Sequence, residues 1–156
     1  MHPLSMTDIV LRLLTALACG AVIGLNRDLH HKAAGFRTFG LVSLGSATVT
    51  LLMLQIPGTG VDAVSRVIQG VLTGIGFLGA GVILHREQPS KVAGLTTAAA
   101  IWLTAGLGVA AGAGQFAIAW LSLAFAMLLL IAGGPIERML GRLFGADRSD
   151  KNEPKQ

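Results

Sequence analysis

A glycine-rich stretch, TGIGFLGAGV (residues 73–82), has the spacing of a phosphate-binding loop. Its first three glycines spell G-x-G-x-x-G, a pattern that lets the backbone approach a dinucleotide pyrophosphate. Such a loop needs a strand before it and an acidic residue about 20 positions later. The glycines instead lie inside an unbroken apolar run, Val67 to Leu84, and the acidic ribose ligand is missing. We therefore interpret the run as a membrane-spanning helix.

Small residues in such a helix let another backbone approach closely, because helices in lipid associate through packing rather than through the hydrophobic effect. We predict this helix-packing role for the glycines of the third apolar run. They are Gly70, Gly74, Gly76, Gly79 and Gly81.

Charged and hydroxyl residues recur where the apolar runs begin and end on one side. We predict that they form a cytoplasmic cluster that binds a ligand or partner, since helix amino termini attract anions. Asp28 could fill that anion position itself, or a lipid phosphate or small anion could, or the residues could simply cap helices and pair with each other. The candidates are Arg27, Asp28, Lys32, Arg37, Thr38, Lys91, Thr96 and Thr97.

Asp62 and Arg66 stand four residues apart at the start of the third run. They form either an N-cap with an i,i+4 ion pair or a cation-attracting outer mouth. The chain has no Ser-His-Asp set, no carboxylate pair and no metal cluster, and adjacent His30 and His31 would point apart on a helix. We therefore expect no enzyme activity, no metal site and no cofactor.

The composition is that of a membrane protein. Hydrophobic residues make up 53% of the 156 residues, whereas charged residues make up only 13%, about half of what a soluble domain carries. The basic residues are not interleaved with aromatic residues, so nucleic acid is not an expected partner. The single cysteine, Cys19, lies in the first apolar run, and we expect it to be buried.

Five apolar runs are long enough to span a bilayer as helices. They are Ile9 to Leu25, Phe39 to Ile56, Val67 to Leu84, Ala93 to Gly112, and Phe116 to Ala132. Ten of the twelve Lys and Arg residues follow the first, third and fifth runs. The sequence thus predicts an all-α polytopic protein with its N-terminus outside and its C-terminus in the cytoplasm.

Two segments follow from this pattern. Residues 1–134 form the transmembrane domain, which Gly133, Gly134 and Pro135 should close, and residues 135–156 form a cytoplasmic tail. We expect the tail to begin as a short amphipathic helix on the membrane surface and to end disordered. Residues 32–38 and 91–97 also share K-x-A-G-[FL]-x-T, which is either a parallel repeat or chance.

Four stretches resemble the MgtC/SapB family of bacterial inner-membrane proteins. They are GLNRD (24–28), AGFRTFGLVSLGSA (34–47), DAVSRVIQGVLTGIGFLGAGVIL (62–84) and GLTTAAAIWLTAGLGVAAGAG (94–114). The chain departs from the family pattern at Asn26, where an acid is usual, and at Phe39, where His is frequent. It stops at Gln156, so we expect it to lack the soluble domain of longer members.

The resemblance implies about five membrane helices and a link to magnesium limitation and stress adaptation, with some members acting through membrane contacts. We expect a non-enzymatic inner-membrane protein that contacts a membrane-protein partner, and a homodimer through its glycine-rich faces. A transporter or channel for magnesium or another small solute is the alternative, and a phospholipid-binding protein is the third possibility. Few ionisable side chains lie within the predicted spans, which counts against a cation-coupled pump.

Overall fold

Five α-helices make up the part of the chain that this computed structural model describes, residues 4–58, 60–84 and 94–143. All five are long and apolar enough to cross a membrane. The prediction of an all-α protein with about five transmembrane helices is therefore confirmed, while the orientation of the termini stays a prediction. The helices are Met6–Leu29 (α1), Phe36–Gln55 (α2), Val61–Leu84 (α3), Leu95–Gly112 (α4) and Phe116–Leu143 (α5).

Helix α1 begins three residues before the predicted apolar run because a capping box starts it. The Ser5 hydroxyl accepts from the Asp8 amide at 3.1 Å, and the Asp8 carboxylate accepts from the Ser5 amide at 3.3 Å. Two amide groups at the helix start are thereby satisfied. A tight turn at Gly114, whose φ is +75°, joins α4 to α5.

The chain divides into two compact units, Met1–Leu123 and Ala124–Gln156, and the division falls within α5. The prediction that the glycines before Pro135 end the last span is wrong, because α5 continues through Pro135 to Leu143. Proline removes one amide donor from the helix, and the Arg138 side chain donates to the neighbouring Gly134 carbonyl at 3.2 Å. The predicted amphipathic segment is thus continuous with the last span, and its lipid-facing placement stays a prediction.

The crossing of α1 and α2 depends on two glycines of α1. A Cβ at Gly20 would collide with the Phe39 carbonyl oxygen, and a Cβ at Gly24 would lie 2.5 Å from the Phe36 Cα. Backbones this close gain dispersion contacts along both helices, and this is the main source of helix association in lipid.

Helix α4 crosses α2 in the same way. A Cβ at Gly108 would meet the Ser43 carbonyl oxygen, and one at Gly112 would lie 2.6 Å from the Ala47 carbonyl oxygen. Helix α4 also contacts α1 and α3. It is the most buried of the five helices. In its most apolar 18-residue segment 56% of the residues are buried, against 6% in the same kind of segment of α3. The first unit is therefore built around α4.

Hydroxyl groups of α2 and α4 mostly bond their own helix. Each donates to the carbonyl four residues earlier at 2.8 Å, which satisfies it without a partner helix. These hydroxyls belong to Ser46, Thr50 and Thr104, which are buried, and to Thr48, which is exposed. Ser43 differs, because its buried Oγ has no hydrogen-bond partner among the described residues.

We predict that Gly108→Ala lowers the free energy of unfolding by about 1–3 kcal/mol, because the added methyl group meets the α2 backbone. The matched control is Gly106→Ala in the same helix, where a Cβ meets no atom within 4 Å. Alanine there should be neutral or stabilising by up to about 1 kcal/mol. Unfolding of the detergent-solubilised protein by SDS, followed by circular dichroism, measures both. Equal losses in the two variants would contradict the crossing.

Candidate functional site

The centre of the predicted cytoplasmic cluster is a contact between Arg27 and Thr97. Arg27 lies in the last turn of α1, which agrees with its predicted position at the end of the first helix, and it is only 5% exposed. Its Nη2 donates to the Thr97 hydroxyl at 2.9 Å, in the first turn of α4. This bond joins the end of α1 to the start of α4.

Two buried polar atoms of adjacent residues have no hydrogen-bond partner within the part of the chain that the structure describes. They are the Arg27 Nε and the Asn26 Oδ1, and both residues are more than nine-tenths buried. The Asn26 backbone carbonyl is occupied, since the His30 ring nitrogen Nδ1 lies 2.7 Å from it. Buried polar groups without partners are rare in proteins, because each gives up its bonds to water.

Asp28 lies in the same turn of α1 and takes a different partner. Its Oδ2 accepts from the Phe36 amide at 2.8 Å, the first residue of α2. The N-cap residue of α2 is Gly35, which has no side chain to accept this bond. The sequence left several occupants open for the amino terminus of α2, and in the structure the Asp28 carboxylate occupies it.

The remaining cluster residues are not drawn together. Lys91 lies outside the described residues, as does most of the second K-x-A-G segment. The other four side chains are exposed, one in the connection between α1 and α2 and three in the first turns of α2 and α4. They belong to Lys32, Arg37, Thr38 and Thr96. The structure thus brings together Arg27 with Thr97, and Asp28 with the start of α2, rather than one converging cluster.

At the opposite end of the bundle, the predicted N-cap at Asp62 is not formed. Helix α3 begins at Val61, and the Gly60 carbonyl accepts from the amides of Ala63 and Val64. Asp62 therefore lies inside the first turn, where its charge still suits the helix dipole. Asp62 and Arg66 are both exposed.

The predicted packing glycines of α3 have few neighbours within the chain. A Cβ at Gly79 would meet the Ala98 Cβ at 3.6 Å, so this position faces α4. At the other four positions a Cβ would meet nothing within 4 Å. These positions are Gly70, Gly74, Gly76 and Gly81. Within the described residues, therefore, one of the five predicted packing glycines, Gly79, faces another helix of the same chain.

Sequence reasoning missed the glycines that do pack the helices together. Gly20 and Gly24 stand four apart in GAVIG, and Gly108 and Gly112 stand four apart in GVAAG. This G-x-x-x-G spacing is the available signal, because it places two small residues on one helix face.

It also missed Arg12, a basic residue within the first apolar run. Its Nη1 donates to the Gly112 carbonyl at 2.8 Å, at the end of α4. The guanidinium thereby satisfies a carbonyl that has no intrahelical donor and meets the negative end of the helix dipole. A single arginine in an apolar run was the signal, since it must find a partner inside the protein.

Five apolar helices, each long enough to cross a bilayer, make this chain a multi-pass membrane protein in contact with the lipid bilayer, and glycine crossings join α1, α2 and α4. Among the described residues, no group of three His, Cys, Asp or Glu side chains could hold a metal ion. The sequence model of the MgtC family matches residues 13–139. The chain belongs to that family.

Several relatives are more than 40% identical to the chain over the residues that align. Protein SrpB of Synechococcus elongatus is 44% identical over 138 residues, which cover 82% of this chain and 76% of SrpB. "Putative magnesium transporter YhiD" of Escherichia coli is 43% identical over 117 residues, covering 70% of this chain and 53% of YhiD. Protein MgtC of Salmonella typhimurium is 43% identical over 107 residues, covering 69% of this chain and 44% of MgtC.

The chain therefore spans about half the length of YhiD and MgtC. No solved structure matches it. The family is nevertheless shown by the match over most of the chain.

We predict that Asp28→Ala lowers the free energy of unfolding by about 1 kcal/mol, because the Phe36 amide loses its acceptor. Asp28→Asn keeps an oxygen there and should lose less. The control is Asp62→Ala, an exposed carboxylate in the first turn of α3, which should change stability by about 0.5 kcal/mol or less. The same SDS titration measures all three, and an Asp28→Ala effect no larger than the control would refute the capping role.

Proposed function

We propose that this protein is a non-enzymatic component of magnesium homeostasis and stress adaptation, which acts in the bacterial inner membrane by contacting another membrane protein. Two observations support the link to magnesium. The chain belongs to the MgtC family, and a 43% identical relative carries the name of a magnesium transporter. The basic loops predicted on one side of the membrane support an inner-membrane location with that side in the cytoplasm.

The surface of α3 is the observation that carries the contact proposal. Gly70, Gly74, Phe77 and Gly81 recur at i, i+4, i+7 and i+11, so they lie along one face of the helix. Among the described residues, no atom outside the backbone of α3 itself comes within 4 Å of a Cβ built at the three glycines, and Phe77 is 85% exposed.

This face has the shape that a second helix needs in lipid. The glycines form a shallow groove in which another backbone can approach, and the Phe77 ring projects beside it. Helices α1, α2 and α4 already use the same device with each other at Gly20, Gly24, Gly108 and Gly112. The face of α3 offers the same kind of contact to a partner outside the described chain.

We expect a photo-reactive amino acid at position 74 to form adducts with another protein in living cells. Mass spectrometry of the adduct separates a homodimer from a complex with a different membrane protein. The same amino acid at position 79 is the control, because Gly79 faces α4 and should give adducts only within the chain. Adducts equal in number and identity at both positions would contradict the proposal.

The contact should also matter for growth. In a strain lacking this protein, Gly74→Leu should fail to restore growth at low magnesium, because the side chain fills the groove on α3. Gly45→Leu is the matched control, since a Cβ at Gly45 also meets no atom within 4 Å but lies on α2. Full growth with Gly74→Leu would contradict a function carried by this face.

A transporter of magnesium or another small solute is the second candidate, favoured by the name of the relative YhiD. The contact proposal predicts no protein-dependent magnesium entry into liposomes that contain the pure, folded protein and a magnesium-sensitive dye. Entry that Asp62→Asn or Arg37→Ala abolishes would overturn the proposal and establish a transport path along those residues.

A further inference from the structure

The last turn of α1 lies beside the amino termini of two other helices, and it meets them with opposite charges. Asp28 gives a carboxylate to the start of α2 at 2.8 Å. Arg27 gives a guanidinium to the start of α4, through the Thr97 hydroxyl at 2.9 Å. The first arrangement places a negative charge at the positive end of a helix, while the second places a positive charge there.

The start of α4 is also without a side-chain cap. Its N-cap is Gly94, which has no side chain and adopts a left-handed φ of +96°. A Cβ at this position would lie 2.8 Å from the Val82 carbonyl oxygen of α3, so a larger capping residue does not fit. The first amide groups of α4 therefore depend on an acceptor from elsewhere.

Arg27 cannot be treated as a solvated surface charge. The residue is only 5% exposed, and its Nε has no hydrogen-bond partner among the described residues. Its one side-chain hydrogen bond within the described residues goes to a neutral hydroxyl, Thr97. The negative end of α1 offsets part of the charge, but a buried guanidinium ordinarily needs a full counter-charge.

We propose that Arg27 and the first turn of α4 bind an oxyanion of the phosphate class, supplied either by a phospholipid headgroup or by free phosphate. The planar guanidinium fork matches the oxygens of a phosphate, and the first-turn amides add further donors. Such an anion supplies the missing counter-charge and an acceptor for the Nε. The site is separate from the exposed face of α3 and does not depend on the proposed partner contact.

The position of the site suits a membrane phosphate. Arg27 is in the last turn of a membrane-spanning helix, and Thr97 is in the first turn of another. Phospholipid phosphates lie at the level where such helices end. Free phosphate reaches the same level from the aqueous side, so the experiment must separate the two sources.

The test is binding by the folded, detergent-purified protein, measured by native mass spectrometry. One arm adds inorganic phosphate, and a second adds phosphatidylglycerol. A third adds diacylglycerol with the same acyl chains, which lacks the phosphate. We expect the wild type to retain one phosphate group per chain, from one source or both, and to retain no diacylglycerol specifically.

Arg27→Gln should weaken retention about tenfold or more, as expected for losing hydrogen bonds from a charged group. Arg37→Gln removes the same charge from an exposed residue at the start of α2 and should leave the affinity within about twofold. If Arg27→Gln does not fold, Arg27→Lys replaces it. That variant keeps the charge but loses the fork, so it should bind about threefold more weakly or worse.

Binding of inorganic phosphate alone would identify free phosphate as the ligand, and binding of phosphatidylglycerol alone would identify a headgroup. Either result supports the site if it depends on Arg27. The proposal is overturned if the wild type retains neither probe, or if diacylglycerol is retained as well as phosphatidylglycerol without any phosphate binding. It is also overturned if the Arg27 variants retain phosphate as well as Arg37→Gln does.

Discussion

The close approach of α1, α2 and α4 is the constraint on which the first unit depends. Lipid tails are as apolar as leucine, so burying apolar side chains against another helix gains little in a bilayer. Close packing must supply the association instead, and it requires positions without side chains at the crossings. Gly20 and Gly24 of α1 provide this at Phe39 and Phe36 of α2, while Gly108 and Gly112 of α4 provide it further along α2, at Ser43 and Ala47.

Two arginines then set how α1 lies along α4. Arg12 bonds the Gly112 carbonyl at the end of α4, and Arg27 bonds the Thr97 hydroxyl at its start. Fifteen positions separate the two arginines, and fifteen separate their partners. Since both helices rise about 1.5 Å per residue, the two contacts are equally spaced along two antiparallel helices. A shift of one helix along the other would break both bonds.

Hydropathy and length were enough to predict the five helices, because membrane spans must satisfy their backbone groups internally. The sequence was less informative at the helix ends. Pro135 is typical of a helix end, yet α5 runs through it, since a single lost amide bond does not end a long helix. The use of each glycine could not be predicted either. Gly74 and Gly108 have similar apolar surroundings in sequence, and only the packing of the helices decides which one meets a backbone.

The residues of the candidate site were predicted from sequence, but the partner of each residue was not. Arg27 and Asp28 are adjacent, so they project from α1 in directions about 100° apart and meet different helices. The sequence could not show that the basic residue would reach α4 while the acidic residue reached α2.

The two arginines of the α1–α4 contact, of which Arg27 is buried and Arg12 is partly buried, differ in what they give the fold. Arg12 places its positive charge at the carbonyl end of α4, where both the hydrogen bond and the helix dipole are favourable. Arg27 places the same charge at the amide end, where the hydroxyl of Thr97 accepts one bond and the dipole is unfavourable. Apolar residues of similar volume often stabilise a protein better than buried charged groups do. Stability therefore accounts for Arg12 more fully than for Arg27, because the carbonyl end of α1 offsets only part of the Arg27 charge, and the proposed oxyanion would offset the remainder.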